Sequence, residues 1–124
     1  MKRDMDLVRR VLLQVEEADE EALTSRPLDV EGYDSATVAR HVEIMQEAGL
    51  VDAHVMRADG VPPYAARVFR LTWQGHDFLE ATRNDTIWAK TKSFVAEKGG
   101  GASFEIIKAV AIKFAATHFG LPTG

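Results

Sequence analysis

The chain has no cysteine, no excess of positive charge and no long apolar run among its 124 residues. Without cysteine, neither disulfide bonds nor thiolate metal sites are possible. No apolar run approaches the ~20 residues that a membrane-spanning helix requires. The first residues, Met1–Asp4, are charged and lead directly into a helical pattern, unlike the apolar core of a secretion signal. We therefore expect a cytoplasmic protein that does not contact membranes.

The net charge is −4, and it is unevenly distributed. Residues 1–50 contain 6 Lys/Arg and 12 Asp/Glu, whereas residues 51–124 contain 9 and 7. A protein that binds nucleic acid mainly through phosphate contacts usually presents a basic surface. The acidic first half therefore argues against tight, non-specific binding of nucleic acid, although it is compatible with a local basic patch.

The first third of the chain predicts one helix followed by irregular structure. Apolar residues recur at helical spacing over Asp4–Glu17. We expect the acidic run Glu16–Glu21 to be a solvated end of that helix, and Pro27–Val30 to form a short edge strand. On this interpretation Ala18–Tyr33 contains loop and strand but no helix.

The middle of the chain predicts a helix and a hairpin. Asp34 or Ser35 caps a helix whose buried stripe is formed by Val38, Val42 and Met45, and Gly49 ends it. Strand-like patterns follow over residues 50–56 and 66–71, on either side of the turn-rich residues 59–63. Two strands around such a tip, after a helix, are typical of the wing of a winged helix.

The last third predicts helices. Thr72 is placed to cap a helix over Trp73–Arg83, and a further helix over Thr86–Glu97 is either separate or part of one long bent helix. Gly99–Gly101 is a linker, after which Ser103 caps a final helix over Phe104–His118. The predicted fold is α+β: a winged helix-turn-helix-like single domain over residues 1–124, with a core at 1–83 and a C-terminal helical extension at 84–119.

Several segments carry a resemblance to a known family. They are Met1–Leu7, His41–Leu50, Leu71–Leu79 and Asn84–Trp88. The chain resembles, over nearly its whole length, the bacterial and prophage family called domain of unknown function family 2513 (DUF2513). This resemblance implies a winged-helix fold, and it brings no established activity.

A looser similarity reaches bacterial winged-helix regulators, in which a Leu-Thr-x-x-Gly run likewise opens the helix after the wing. Those regulators place two short helices before the wing. Here the first helix of the pair is not expected, because Ala18–Tyr33 has the pattern of loop and strand. This departure puts ordinary docking in a DNA groove in doubt.

DNA binding is the obvious hypothesis for such a scaffold, and the charges limit it. With Val38 and Val42 inward, the outward face of the helix carries Arg40 with Glu43 and Glu47, and its two carboxylates repel phosphates. Contact with bases or phosphates is therefore expected from the start of the helix and from the wing. The candidate DNA-binding residues are Ser35, Thr37, Arg40, Arg57, Arg67 and Arg70. Alternatively, the wing arginines are solvated residues that discourage pairing at a strand edge.

Catalytic and metal-binding motifs are weak in this sequence. His76 and Asp77 are adjacent on a predicted helix and do not face each other, so we expect His76 to pack beside Trp73 or to hydrogen-bond locally. The other histidines show no metal-ligand spacing, and no phosphate-binding glycine loop is present. We expect no enzymatic activity, no cofactor and no metal.

The final helix is unusually apolar. Such a helix is either buried in its own domain or shared with another chain. The residues expected to form a dimer or partner interface are Trp88, Phe94, Ile107, Val110 and Phe114; alternatively, they close the core of the chain.

The leading hypothesis for the function of the protein is a regulatory protein of phage or prophage type that binds DNA weakly or as a dimer. Its rival is a protein-interaction module that retains the scaffold and does not bind DNA.

Overall fold

A computed structural model describes residues 2–59, 61–99 and 103–120. Gly60 of the predicted turn, and Gly100 and Gly101 of the predicted linker, lie outside these ranges. The described chain is α+β, with eight elements in the order α1 (Met5–Glu17), α2 (Glu20–Ser25), α3 (Ser35–Glu47), β1 (Val51–Met56), β2 (Ala65–Leu71), α4 (Trp73–Thr82), α5 (Asp85–Glu97) and α6 (Phe104–His118). The chain divides within α4 into two compact units, Met1–His76 and Asp77–Gly124.

The first helix, α1, confirms the prediction from periodicity. Asp4 caps it, because its Oδ1 accepts hydrogen bonds from the N–H groups of Asp6 and Leu7 at 2.9 and 3.1 Å. Its inward face packs against α3 and β2. The buried side chains on that face are Leu7, Val8, Val11, Leu12 and Val15.

The prediction that Ala18–Tyr33 lacks a helix is wrong, because α2 lies within it. The acidic run does not simply prolong α1: Asp19 caps α2 by accepting the N–H of Ala22 at 2.8 Å. Glu20 and Glu21 then occupy the first turn, where negative charge is favourable to the helix dipole. The short helix packs against β2 and buries Leu23.

The predicted edge strand at Pro27–Val30 is also not a regular strand. The segment has no regular secondary structure, and the N–H of Leu28 donates to the carbonyl of Ala66 in β2 at 2.7 Å. Val30 is fully buried. A backbone hydrogen bond therefore joins this segment to β2, although the segment is not a strand of the sheet.

Helix α3 has the predicted cap and stripe. Asp34 is its N-cap and accepts the N–H of Thr37 at 2.7 Å. Gly49 follows the helix with a φ of +76°, in the left-handed region that glycine adopts without strain. The buried residues of α3 are Val38, Ala39, His41, Val42 and Met45.

Strands β1 and β2 form an antiparallel hairpin packed against α3. Asp52 pairs with Arg70 whereas Ala53 pairs with Val68, so Phe69 is the extra residue of a β-bulge. Because of the bulge, both Val68 and Leu71 are buried although they lie three residues apart.

Helix α4 has the predicted cap at Thr72, and the cap of α5 is Asn84, which was not predicted from the sequence. The Oγ1 of Thr72 accepts the N–H of Gly75 at 3.1 Å, and Asn84 caps α5, which is therefore separate from α4 and not one bent helix with it. Within the second unit α5 packs on α6. The rings of Phe94 and Phe114, one from each of these helices, meet edge to face with centroids 5.9 Å apart.

Candidate functional site

The beginning of α3 carries three of the residues predicted to contact DNA. Ser35 is exposed there, and Thr37 and Arg40 are half-buried. The backbone of Thr37 is already engaged: its N–H donates to Asp34, and its carbonyl lies 2.9 Å from Nδ1 of His41. The backbone of Thr37 is therefore already used within the fold at this end of the helix.

His41 links this end of α3 to the start of α1 through hydrogen bonds. Its Nε2 accepts the backbone N–H of Asp4 at 2.9 Å, so the ring hydrogen sits on Nδ1 and is donated to the carbonyl of Thr37. Tyr33 adds a second link to the start of α1, since its hydroxyl donates a hydrogen bond to Oδ2 of Asp4 at 2.9 Å. This hydrogen bond is the main reason why the pKa of Tyr33 is raised above 10.0. A buried histidine with both nitrogens bonded is a structural residue here.

The hairpin carries the other three predicted DNA contacts, and two of them are engaged in ion pairs. Arg57 pairs with Glu43, which projects from the outward face of α3. Arg70 pairs with Asp52 across the hairpin, with Nη2 and Oδ2 2.6 Å apart. Such partly exposed pairs add only about 0–1 kcal/mol each to stability. Their consequence is electrostatic, because each cancels a positive charge on the predicted wing.

Arg67 differs from the other two hairpin arginines. It is half-buried and lies opposite His54 in the register of the hairpin. Its Nε is enclosed, and within residues 2–59, 61–99 and 103–120 no hydrogen-bond acceptor meets it. The three arginines therefore do not form one exposed basic surface.

An open groove of about 530 Å³ separates the outward face of α3 from β1. This is where a polyanion docked on the hairpin and α3 would approach. Glu43 and Glu47 contribute two carboxylates to its walls, against the single guanidinium of Arg57. The remaining lining residues are Gln46, Ala53, His54 and Val55.

Two large aromatic side chains are exposed where β2 passes into α4. Trp73 is 80% exposed, and the bulged Phe69 is 40% exposed. They lie four residues apart on a short stretch of chain, and Arg70 between them is also exposed. The sequence-based hypothesis included Arg70 and missed both aromatic residues.

The residues predicted for a dimer or partner interface divide into two groups. Trp88 and Ile107 are buried in the folded chain, so they serve its core and are not presented to a partner. Phe94 is exposed, and Val110 and Phe114 are half-buried. Three of the five predicted residues are therefore accessible at the surface of the C-terminal helices.

Comparison with known proteins gives the family. Residues 2–101 match the family model described as "Hypothetical protein (DUF2513)". The chain belongs to the DUF2513 family. It is 39% identical over 111 residues to a protein of Haemophilus influenzae (strain Rd) described as "Uncharacterized protein", a match that covers 90% of this chain and 92% of the relative. No solved structure matches the present chain.

The DUF2513 chain shows no further reactive cluster in the part that the structure describes. There, no group of three or more His, Asp or Glu side chains is arranged to hold a metal ion. Nδ1 of His76 lies 3.7 Å from Oε2 of Glu16, and His76 and Asp77 are both exposed. None of the helices in the described ranges has the length and apolar character needed to cross a membrane.

Proposed function

We propose that this DUF2513 protein is a protein-interaction module on a winged-helix-like scaffold, and that its α3 helix does not enter a DNA groove. The observation that carries the proposal is the ion pair between Glu43 and Arg57. It places a carboxylate of α3 against the guanidinium that was expected to reach a phosphate. The order helix, antiparallel hairpin, helix supports the winged-helix-like description of the scaffold.

The spacing of the helices supports the proposal. In a helix-turn-helix, a turn of about 3–4 residues joins the two helices. Here residues 26–34 separate α2 from α3, and this segment includes Leu28, whose N–H donates to the carbonyl of Ala66. Since α2 and α3 do not form a compact helix-turn-helix, α3 lacks the neighbouring helix that crosses the DNA backbone in the common docking geometry.

The charges support it as well. For Arg57 to contact a phosphate it would have to leave Glu43, and the unpaired carboxylate would then repel the same phosphate. Arg70 has the same constraint through Asp52. Each contact with DNA at these positions therefore starts with the loss of an existing attraction.

The exposed aromatic residues indicate what kind of partner is favoured. Tryptophan, and aromatic residues in general, are enriched at the centres of protein–protein interfaces, where they bury a large area at a small entropic cost. Trp73 is mostly exposed in the isolated chain, and Phe69 lies close to it in sequence. We assign the surface formed by Phe69, Arg70 and Trp73 as the binding surface, and name it the hairpin–α4 surface.

Two experiments test this assignment together. Electrophoretic mobility with genomic and random DNA fragments at about 50 mM salt should show no shift. The reason is that the groove between α3 and β1 lacks the net positive charge that phosphate binding needs. Affinity capture from host lysate should recover a protein that Trp73→Ala loses and Gln74→Ala retains, since the neighbouring Gln74 is exposed but polar. Salt-sensitive DNA binding that Arg57→Ala and Arg67→Ala weaken would overturn the proposal.

The second candidate is a phage- or prophage-type regulator that binds DNA weakly or as a dimer. It is favoured by Arg40 and Arg67, neither of which forms an ion pair with any described residue, and by the exposed Ser35 at the start of α3. On this hypothesis Glu43→Gln should strengthen DNA binding, because it removes a repelling carboxylate and releases Arg57. The same variant should leave capture of a protein partner at the hairpin–α4 surface unchanged.

A further inference from the structure

Helix α6 has an inner and an outer face. Ile107 and Ala111 point inward and are buried. On the opposite side, Ile106 is 54% exposed and Ile112 is 50% exposed, with the exposed Ala109 midway between them. Successive steps of three residues keep these side chains on one stripe of the helix. We call Glu105, Ile106, Ala109, Ile112 and Lys113 the outer face of α6.

We propose that the outer face of α6 binds the outer face of a second copy of this chain, with the two helices antiparallel and a two-fold axis beside Ala109. This interface is different from the hairpin–α4 surface and does not depend on the function proposed above. It also differs from the interface predicted from sequence, which included the buried residues Trp88 and Ile107.

The symmetry of the residues around Ala109 carries the proposal. Ile106 and Ile112 lie three residues before and after it, and Glu105 and Lys113 lie four residues before and after it. In an antiparallel pair centred on Ala109, each Ile106 therefore lies level with Ile112 of the partner subunit. Each Glu105 lies level with Lys113 of the partner subunit, so that the self-complementary interface contains this pair of opposite charges twice.

A parallel pairing does not have this property. It would place Glu105 level with Glu105 of the partner subunit, and Lys113 level with Lys113 of the partner subunit, so both charge pairs would repel. The small side chain of Ala109 at the axis lets the two helices approach closely, which a larger residue would prevent. Apolar, charge and size patterns thus favour the same arrangement.

The contact is small. A helix of 15 residues is about 22 Å long, so one pair of such helices buries less than the roughly 1,200–2,000 Å² of a standard stable interface. We therefore expect a weak, concentration-dependent dimer, which sedimentation equilibrium of the full chain measures directly.

Cysteine cross-linking tests the geometry without a background, because the natural chain contains no cysteine. Ala109→Cys should form disulfide-linked dimers under mild oxidation, since residues at the axis are close enough to bond. Ala89→Cys, an exposed alanine on α5, is the matched control and should cross-link much more slowly. A mixture of Ile106→Cys and Ile112→Cys chains should yield the mixed dimer, whereas a parallel pair would yield dimers of each variant with itself.

Charge reversal tests the pairing separately. Glu105→Lys or Lys113→Glu alone should weaken self-association about tenfold or more, because each reversal acts twice in a symmetric dimer. The double variant Glu105→Lys/Lys113→Glu should restore it. A monomer at high concentration, equal cross-linking of the Ala109 and Ala89 variants, self-dimers of the Ile106 variant, or no recovery in the double variant would each overturn the proposal.

Discussion

Gly75 lies directly against the backbone of Leu50. A Cβ added to Gly75 would overlap the carbonyl oxygen of Leu50 and stand 3.1 Å from its carbonyl carbon. The same oxygen accepts the N–H of Thr72 at 2.9 Å, and the hydroxyl of Thr72 donates to the carbonyl of Gly49. Two hydrogen bonds from Thr72 thus join the start of α4 to the turn after α3. In the Leu-Thr-x-x-Gly run, Thr72 supplies the hydroxyl of one of these bonds, and Gly75 leaves the space for the close approach of Leu50.

Replacement of Gly75 is expected to be among the most damaging single changes in the chain. Gly75→Ala should lower the free energy of unfolding by about 3 kcal/mol, because the overlap is with backbone and no side-chain rotation relieves it. Gly32→Ala is the matched control: Gly32 has a φ of +89°, but nothing lies within 4 Å of an added Cβ, so a loss of about 1 kcal/mol is expected. Urea denaturation measures both, and equal losses would contradict the packing argument.

The hydroxyl of Thr72 should be needed for stability. Thr72→Val keeps the shape of the side chain but removes the cap on Gly75 and the bond to Gly49, for an expected loss of about 1–2 kcal/mol. Thr72→Ser keeps the hydroxyl and should lose only a few tenths of a kcal/mol. Thermal or urea denaturation compares the two, and a serine variant as unstable as the valine variant would count against the cap.

Most of the fold was predictable because its signals are local. The range of α6 was predicted correctly from its cap Ser103 and its apolar pattern, and α5 begins at Asp85, one residue before the predicted start at Thr86. Helix α2 was missed because six residues with one buried apolar side chain, Leu23, show no periodicity. Its stability depends on packing against β2, which no local pattern reveals.

The electrostatics of the candidate site were less predictable. The pair between Arg57 and Glu43 requires that β1 lie beside α3, and it follows from packing and not from sequence spacing. The pair between Arg70 and Asp52 requires the bulge, since an unbroken register would have placed Phe69 opposite Asp52. Composition indicated that positive charge was scarce, but only the folded chain shows which arginines are already neutralised.

The hydrogen-bonding scheme of His41 predicts its tautomer. Because a backbone N–H is only a donor, Nε2 must accept it, and the neutral ring should carry its hydrogen on Nδ1. Long-range proton–nitrogen NMR spectra of the folded protein near neutral pH should show this form. His41→Leu leaves the N–H of the half-buried Asp4 without its partner, for an expected loss of about 1 kcal/mol of stability. A ring with its hydrogen on Nε2 would contradict the scheme.

The cap of α3 should weaken in acid. The N–H of Thr37, which donates to the carboxylate of Asp34, holds the pKa of Asp34 below its ordinary value of 3.8. A pKa lowered by folding means that the charged form stabilises the fold, so this contribution is complete above pH 3.8 and is lost as the pH falls through the folded-state pKa.

Asp34→Asn and Asp34→Ala separate this titration from capping itself. The difference in free energy of unfolding between the wild type and Asp34→Asn should change on the acid side of pH 3.8. The difference between the two variants should stay constant, because neither has a carboxyl at this position. A wild-type advantage over Asp34→Asn that does not vary with pH would rule out the coupling.

The raised pKa of Tyr33 predicts that the protein loses stability as the pH rises, opposite to the effect of Asp34. Its hydroxyl donates to Oδ2 of Asp4, which favours the neutral phenol and raises the pKa of Tyr33 above 10.0. A raised pKa of this acid means that its stabilisation is complete below pH 10.0 and is lost as the pH rises through the folded-state value. The advantage of the wild type over Tyr33→Phe in free energy of unfolding should therefore decline above pH 10.0, since phenylalanine has no proton to lose. Urea denaturation across this range measures the advantage, and the phenolate absorbance of the wild type should show a tyrosine that ionises late only while the protein is folded. If the advantage persisted unchanged after that absorbance had risen, the bond from Tyr33 to Asp4 would not contribute to the stability of the fold.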